Sequence, residues 1–208
     1  MEYVMLGETA GVKGVDLIGR HKNVYEELYD VWVVERPTTR PGRLVFVNCS
    51  AASCSDYLYL ISFDLPSRVV GPRAGARRPT REYSKIKEAL LLRLCGRVDN
   101  STYVCGEDCS EVPAELGARK LQVFRVVPAN EGTRRAVAEA VLAARAYVTV
   151  AALSLAPHGR GVWKARRMLE VLSSIPRTAF ERYERVLGVR VDVSEAVEAL
   201  RKKLEREI

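Results

Sequence analysis

The hydrophobic period of this chain turns helical for good at one place. Up to Val127, apart from one helical stretch, the apolar residues gather in short β-branched and aromatic runs. From Asn130 onward they recur every three or four residues. A chain that spends its first part at period two and its last at period 3.6 puts strands first and helices last. That order predicts an α+β fold rather than alternating α/β units. The junction itself reads Val126-Val127-Pro128-Ala129-Asn130-Glu131-Gly132. It predicts a strand ending at Pro128 and a long amphipathic helix starting near Asn130. Two regions are expected: a β-rich domain over 1–128 with one inserted helix, and a helical region over 129–208 packed on it.

Strands are expected at Tyr3–Leu6, Val12–Ile18, Val31–Val34, Leu44–Val47 and Tyr57–Phe63. Turn chemistry separates them, at Gly7, Gly11 and Gly14 and in the Pro/Gly-rich stretch 36–42. A short helical turn is expected over Asn23–Tyr29. A loop rich in Pro, Gly and Arg over 66–79 precedes a helix from about Thr80 to Leu94, with Ile86, Leu90 and Leu94 as its apolar stripe. Residues 96–117 read as irregular, and Arg119–Val127 returns to strand. In the helical part Val137, Val141, Ala144 and Val148 form one stripe, flanked by alanines that let another element approach closely. Further helices are expected at Val162–Ser174, from Pro176 through Leu187, and after Ser194, where Val197, Leu200, Leu204 and Ile208 share a face.

A chain of 208 residues that is 48% hydrophobic can bury a sizeable core, which excludes wholesale disorder. The longest apolar stretch, Ala136–Leu155, contains Glu139 and Arg145 and reads as a buried helix rather than a membrane span. The N-terminal residues lack the basic and apolar parts of a secretion signal, so a cytoplasmic location with no membrane partner is expected. Abundant Arg, Glu, Val and Ala with few Gln is the composition of a thermophile.

The formal charge is +7, and it is concentrated. Between Arg68 and Arg97 nine basic residues face only Glu82 and Glu88, so nine minus two accounts for the whole excess. Such a segment attracts phosphate, and Arg73, Arg77, Arg78, Arg81 and Lys85, with Tyr83 for base stacking, make nucleic acid one possible partner. A solvated arginine-rich loop and helix face explains the same residues.

Five cysteines stand at 49, 54, 95, 105 and 109. Cys49 and Cys54 form one close pair, Cys105 and Cys109 another. The spacings are looser than those of zinc knuckles, so zinc is not expected. Disulfides are the preferred reading, either within each pair or between the pairs, in the manner of intracellular proteins of hyperthermophiles. Neither His21 nor His158 is tied by spacing to a cysteine, and the sequence carries no catalytic motif.

The segment Val126–Val150 resembles a family of archaeal flavoproteins of the FMN-binding split-barrel class. The residues that carry the likeness are Pro128, Asn130, Gly132, Ala136, Val137, Glu139, Ala140 and Arg145. The resemblance implies that the β-rich half is split-barrel-like, that the chain pairs as a homodimer, and that it is a flavin-dependent oxidoreductase or a relative that has lost the flavin. It also implies a phosphate-holding turn before a short helix. The counterpart in this sequence is Arg20, His21, Lys22 and Asn23, which lack the family's hydroxyl groups but supply basic ones.

Overall fold

The computed structural model describes residues 2–6, 31–34, 43–50, 53–65, 81–99, 101–118 and 120–205. The expected strand Val12–Ile18, the helical turn Asn23–Tyr29 and the loop 66–79 lie outside them. The described chain is α+β, as the change in hydrophobic period requires. Its seven strands are β1 (Tyr3–Leu6), β2 (Val31–Val34), β3 (Leu44–Asn48), β4 (Leu58–Asp64), β5 (Gly96–Asp99), β6 (Thr102–Cys105) and β7 (Lys120–Pro128). They form one sheet in the order β2-β1-β3-β7-β4-β6-β5. Every pairing is antiparallel, and the sheet curls into a half-barrel.

The last strand in sequence is the middle one in space. Val126 of β7 stands opposite Asn48 of β3 on one side and Leu58 of β4 on the other. The strands β3 and β4, neighbours in sequence, are thus held apart by β7, and the link between them steps across it. That link is closed by the Cys49–Cys54 disulfide, and the Cys49 N–H donates to the Arg125 carbonyl at 2.7 Å.

The helices are α1 (Arg81–Leu92), α2 (Glu111–Glu115), α3 (Glu131–Ser154), α4 (Arg160–Ser174), α5 (Arg177–Arg182) and α6 (Ser194–Glu205). The third expected C-terminal helix does run from Pro176 through Leu187, but its last turn, Tyr183–Leu187, is wound as a π-helix. Side chains alternate across each strand, so each face of the sheet meets a different set of helices. Phe46, Leu58, Leu60, Val104 and Val126 pack with Val137, Val141 and Val148 of α3, Ala165, Met168 and Leu172 of α4, and Ala196 and Leu200 of α6. Ile61, Phe63, Tyr103 and Cys105 point the other way, to Ile86 and Leu90 of α1 and Val112 of α2.

The expected irregularity of 96–117 is corrected: these residues form the hairpin β5–β6 and the short helix α2. The reason is burial. All four residues of β6 are buried, because β6 is covered on both faces, so it shows no polar/apolar alternation. A register shift between Arg97 and Asp99 further breaks the pattern of β5.

The junction between strand and helix is tied at one residue. The side chain of Asn130 caps α3 by accepting the Thr133 N–H at 2.8 Å. The Thr133 hydroxyl in turn accepts the Val45 N–H at 3.0 Å, and the Val45 carbonyl accepts the Ala129 N–H at 2.9 Å. Both backbone groups of Val45 at the end of the β3–β7 ladder are therefore satisfied by the start of α3. Farther along, α3 crosses β5 so closely that a Cβ on Gly96 would lie 2.7 Å from the Val141 nitrogen. By length and mean hydropathy α3 could cross a membrane. In the fold its Val137–Val141–Ala144–Val148–Ala152 stripe is buried, while Leu142, Tyr147, Val150 and Leu153 are exposed.

Candidate functional site

The densest chemistry in the described residues lies under α1 and α2, where three cysteines converge. Their sulfur atoms all lie within 4.8 Å of one another, and all three residues are fully buried. Each is delivered by a different local structure. Cys95 follows the C-terminal turn of α1. There the Cys95 N–H reaches back to the Leu90 carbonyl and the Leu94 N–H to that of Leu91, the pattern of a Schellman motif. Glycine usually holds the left-handed position in that motif. Here Leu94 holds it, with φ 62°, a conformation that costs a non-glycine residue about 1–2 kcal/mol. Its fully buried side chain offsets the cost.

Cys105 ends β6. Because Gly96 pairs with Val104, the next pair outward is Cys95 with Cys105, and the two are bridged across the hairpin with their Cα atoms 4.3 Å apart. Cys109 lies in the turn that begins α2, where its carbonyl accepts the Val112 N–H. It is a free thiol.

This arrangement corrects the expected pairing. Cys49 and Cys54 are bridged within their pair, as one of the readings had it. Cys105 is bridged to Cys95, which the spacing argument passed over, and Cys109 is left unbridged. Closeness in sequence favoured Cys105–Cys109, but hairpin register puts Cys95 directly opposite Cys105.

Polar groups surround the sulfurs. Glu107 lies between Cys105 and Cys109 in sequence. Its Oε1 is buried, 3.6 Å from Arg93 Nη1, and makes no hydrogen bond within the described residues. Arg93 also reaches Glu111, at 3.2 Å. Burial pushes the Glu107 carboxyl above its ordinary range, and the Arg93 charge partly opposes that. Burial, then the Glu107 charge, push the Cys109 thiol far up.

A clasp from the helical layer closes the site. The hydroxyl of Tyr183, in the π-turn after α5, donates to the Leu94 carbonyl at 2.9 Å and accepts the Gly106 N–H at 2.7 Å. One buried phenol thus ties down the residue before Cys95 and the residue after Cys105. Arg182 donates to the Gly106 carbonyl at 2.8 Å, and its guanidinium lies 4.9 Å from the Tyr57 ring centroid and 5.4 Å from that of Tyr59. Gly106 is required there, since a Cβ would come within 2.5 Å of the Ala179 carbonyl oxygen. Sequence reading missed Tyr183, Glu107 and Arg93. The one usable signal was the run Cys105-Gly106-Glu107-Asp108-Cys109, where a buried carboxylate sits among thiols.

The remaining expected sites are placed only in part. Arg20, His21, Lys22 and Asn23, proposed for the flavin phosphate, lie outside the described residues, as do Arg73, Arg77 and Arg78. Arg81 and Lys85 are exposed on α1. Tyr83, expected as a stacking surface for bases, is half-buried with its ring 6.4 Å from that of Phe63. Arg93 turns to Glu107 and Glu111 rather than adding to an open basic face.

No protein-family model, curated protein or solved structure matches the chain.

Proposed function

We propose that this protein is a flavoprotein of the FMN-binding split-barrel class, acting as an oxidoreductase. The observation that carries the reading is the junction at Val45. A curled antiparallel half-barrel has its central strand β7 run through Pro128 and Asn130 straight into α3, and Thr133 knits that helix back to β3. Of the residues on which the resemblance rests, Pro128 ends the strand, Asn130 caps the helix and Val137 is buried against the sheet. When bound, FMN would supply the hydride chemistry, and the chain would supply binding and position. Arg20, Lys22 and the Asn23 side chain would hold its phosphate, with His21 beside them.

The reading includes a homodimer. The exposed apolar side of α3, formed by Leu142, Tyr147, Val150 and Leu153, supports it, because burial against a second copy would remove that surface from water.

The test is a spectrum of the purified protein followed by titration with FMN. The proposal predicts flavin absorbance or saturable uptake of one FMN per chain, weakened by Arg20→Ala with Lys22→Ala. A colourless protein that takes up no added FMN contradicts the cofactor assignment and leaves a relative that has lost the flavin.

A further inference from the structure

We propose that Cys95, Cys105 and Cys109 form a thiolate metal site when the chain is reduced, with Glu107 as fourth donor and Zn²⁺ as the ion. Two observations carry it. The three sulfurs lie within 4.8 Å of one another, close enough to share one ion. The set is fully buried, so an ion held there would be shielded from water. Glu107 stands just outside this group of three, its buried Oε1 3.6 Å from Arg93 Nη1, and would turn inward to serve as the fourth donor. Three thiolates and one carboxylate would make four donors, the number structural zinc takes, and Arg93 beside Glu107 would offset part of the excess negative charge.

The bridge and the metal are alternatives. A phosphine opens the Cys95–Cys105 bond by donating two electrons. It becomes the phosphine oxide, with its oxygen from water, and each sulfur gains a proton. Zinc then displaces three thiol protons, one each from Cys95, Cys105 and Cys109. The same three residues thus fasten the end of α1, the end of β6 and the turn into α2, by a covalent bond in one state and by an ion in the other. The proposal does not depend on flavin binding, and its outcome is read without FMN.

The experiment uses the full chain, reduced by phosphine in denaturant and refolded without oxygen in the presence of Co²⁺ as an optical stand-in for zinc. One Co²⁺ per chain is expected, with thiolate-to-cobalt charge-transfer absorption and the strong visible bands of a tetrahedral site, both lost on adding Zn²⁺. Glu107→Gln and Cys109→Ser should each weaken uptake by at least about tenfold, a loss of the size seen when metal surroundings are disturbed. Cys49→Ser with Cys54→Ser should leave it unchanged. Should Cys109→Ser fail to fold, alkylation of the wild-type chain decides: zinc should shield Cys95, Cys105 and Cys109 and leave Cys49 and Cys54 open. No Co²⁺ uptake, uptake that follows Cys49 and Cys54 instead, or equal labelling of all five cysteines overturns the proposal.

Discussion

The two disulfides of this protein use the same bond for different ends. Cys49–Cys54 lies on a half-exposed link that has to step across β7, and it closes a short loop next to its anchor at Arg125. Cys95–Cys105 lies wholly inside, between a helix end and a strand end, with a third thiol, a carboxylate and a phenol around it. The first constrains a connection. The second is one part of a packed polar cluster that joins the sheet to both helical layers. The lesson is that a cysteine's neighbours, more than its spacing, tell what it does.

The sharpest way to break this contrast is at Gly106. Gly106→Ala drives a methyl into the Ala179 carbonyl, where backbone and not a flexible side chain must yield. A loss on the order of 3 kcal/mol is expected from such overpacking, read by denaturant unfolding of the oxidised protein. The equivalent change at Ser53, an exposed residue of the outer link, should cost almost nothing.

Removing each bridge sharpens the comparison. By loop-closure entropy alone, Cys95→Ser with Cys105→Ser should cost about 3 kcal/mol and Cys49→Ser with Cys54→Ser about 2 kcal/mol. The buried pair should exceed its figure, because serine hydroxyls would be left in an apolar setting. Losses that stop at these two figures would argue that both bonds act only on the unfolded chain.

Tyr183→Phe tests the clasp with little change of shape. It strands the Gly106 N–H and the Leu94 carbonyl, and a loss of about 2 kcal/mol is expected. A loss indistinguishable from zero would mean that the phenol is not what holds the inner loops.

The smallest effect lies far from either bridge. The Asp192 carboxylate accepts the Ser194 N–H at 2.8 Å, and this bond holds its carboxyl below the usual range. A lowered folded-state pKa gives stability that is present above the unfolded value and lost as pH falls through the folded one. Asp192→Ala should therefore lower Tm slightly at neutral pH, and the difference from wild type should vanish on acidification below the ordinary carboxylate range.

Much of the architecture was legible in the sequence because single segments carried it. The stripe Val137–Val141–Ala144–Val148 is the buried face of α3, and that helix starts where expected, just after Asn130. The outer bridge was legible because its two cysteines are also near neighbours in space. What stayed hidden depends on long-range pairing. Nothing local says that β7 inserts between β3 and β4, or that Cys95 faces Cys105 across a bulged hairpin with no alternation. Arg93 falls on the polar side of the α1 pattern, within the basic segment, yet it pairs with two glutamates from the segment that delivers Cys109. Tyr183 lies within the helix expected from Pro176 through Leu187, and its hydroxyl acts on residues 77 and 89 positions away.

The account turns on the inner cysteines being paired by hairpin register with one thiol left over. Peptide mapping of the oxidised protein, alkylated before and after unfolding and digested without reductant, reads this directly. Linked peptides Cys49–Cys54 and Cys95–Cys105 are predicted, with Cys109 labelled only after unfolding. A linked Cys105–Cys109 peptide with Cys95 free would contradict it.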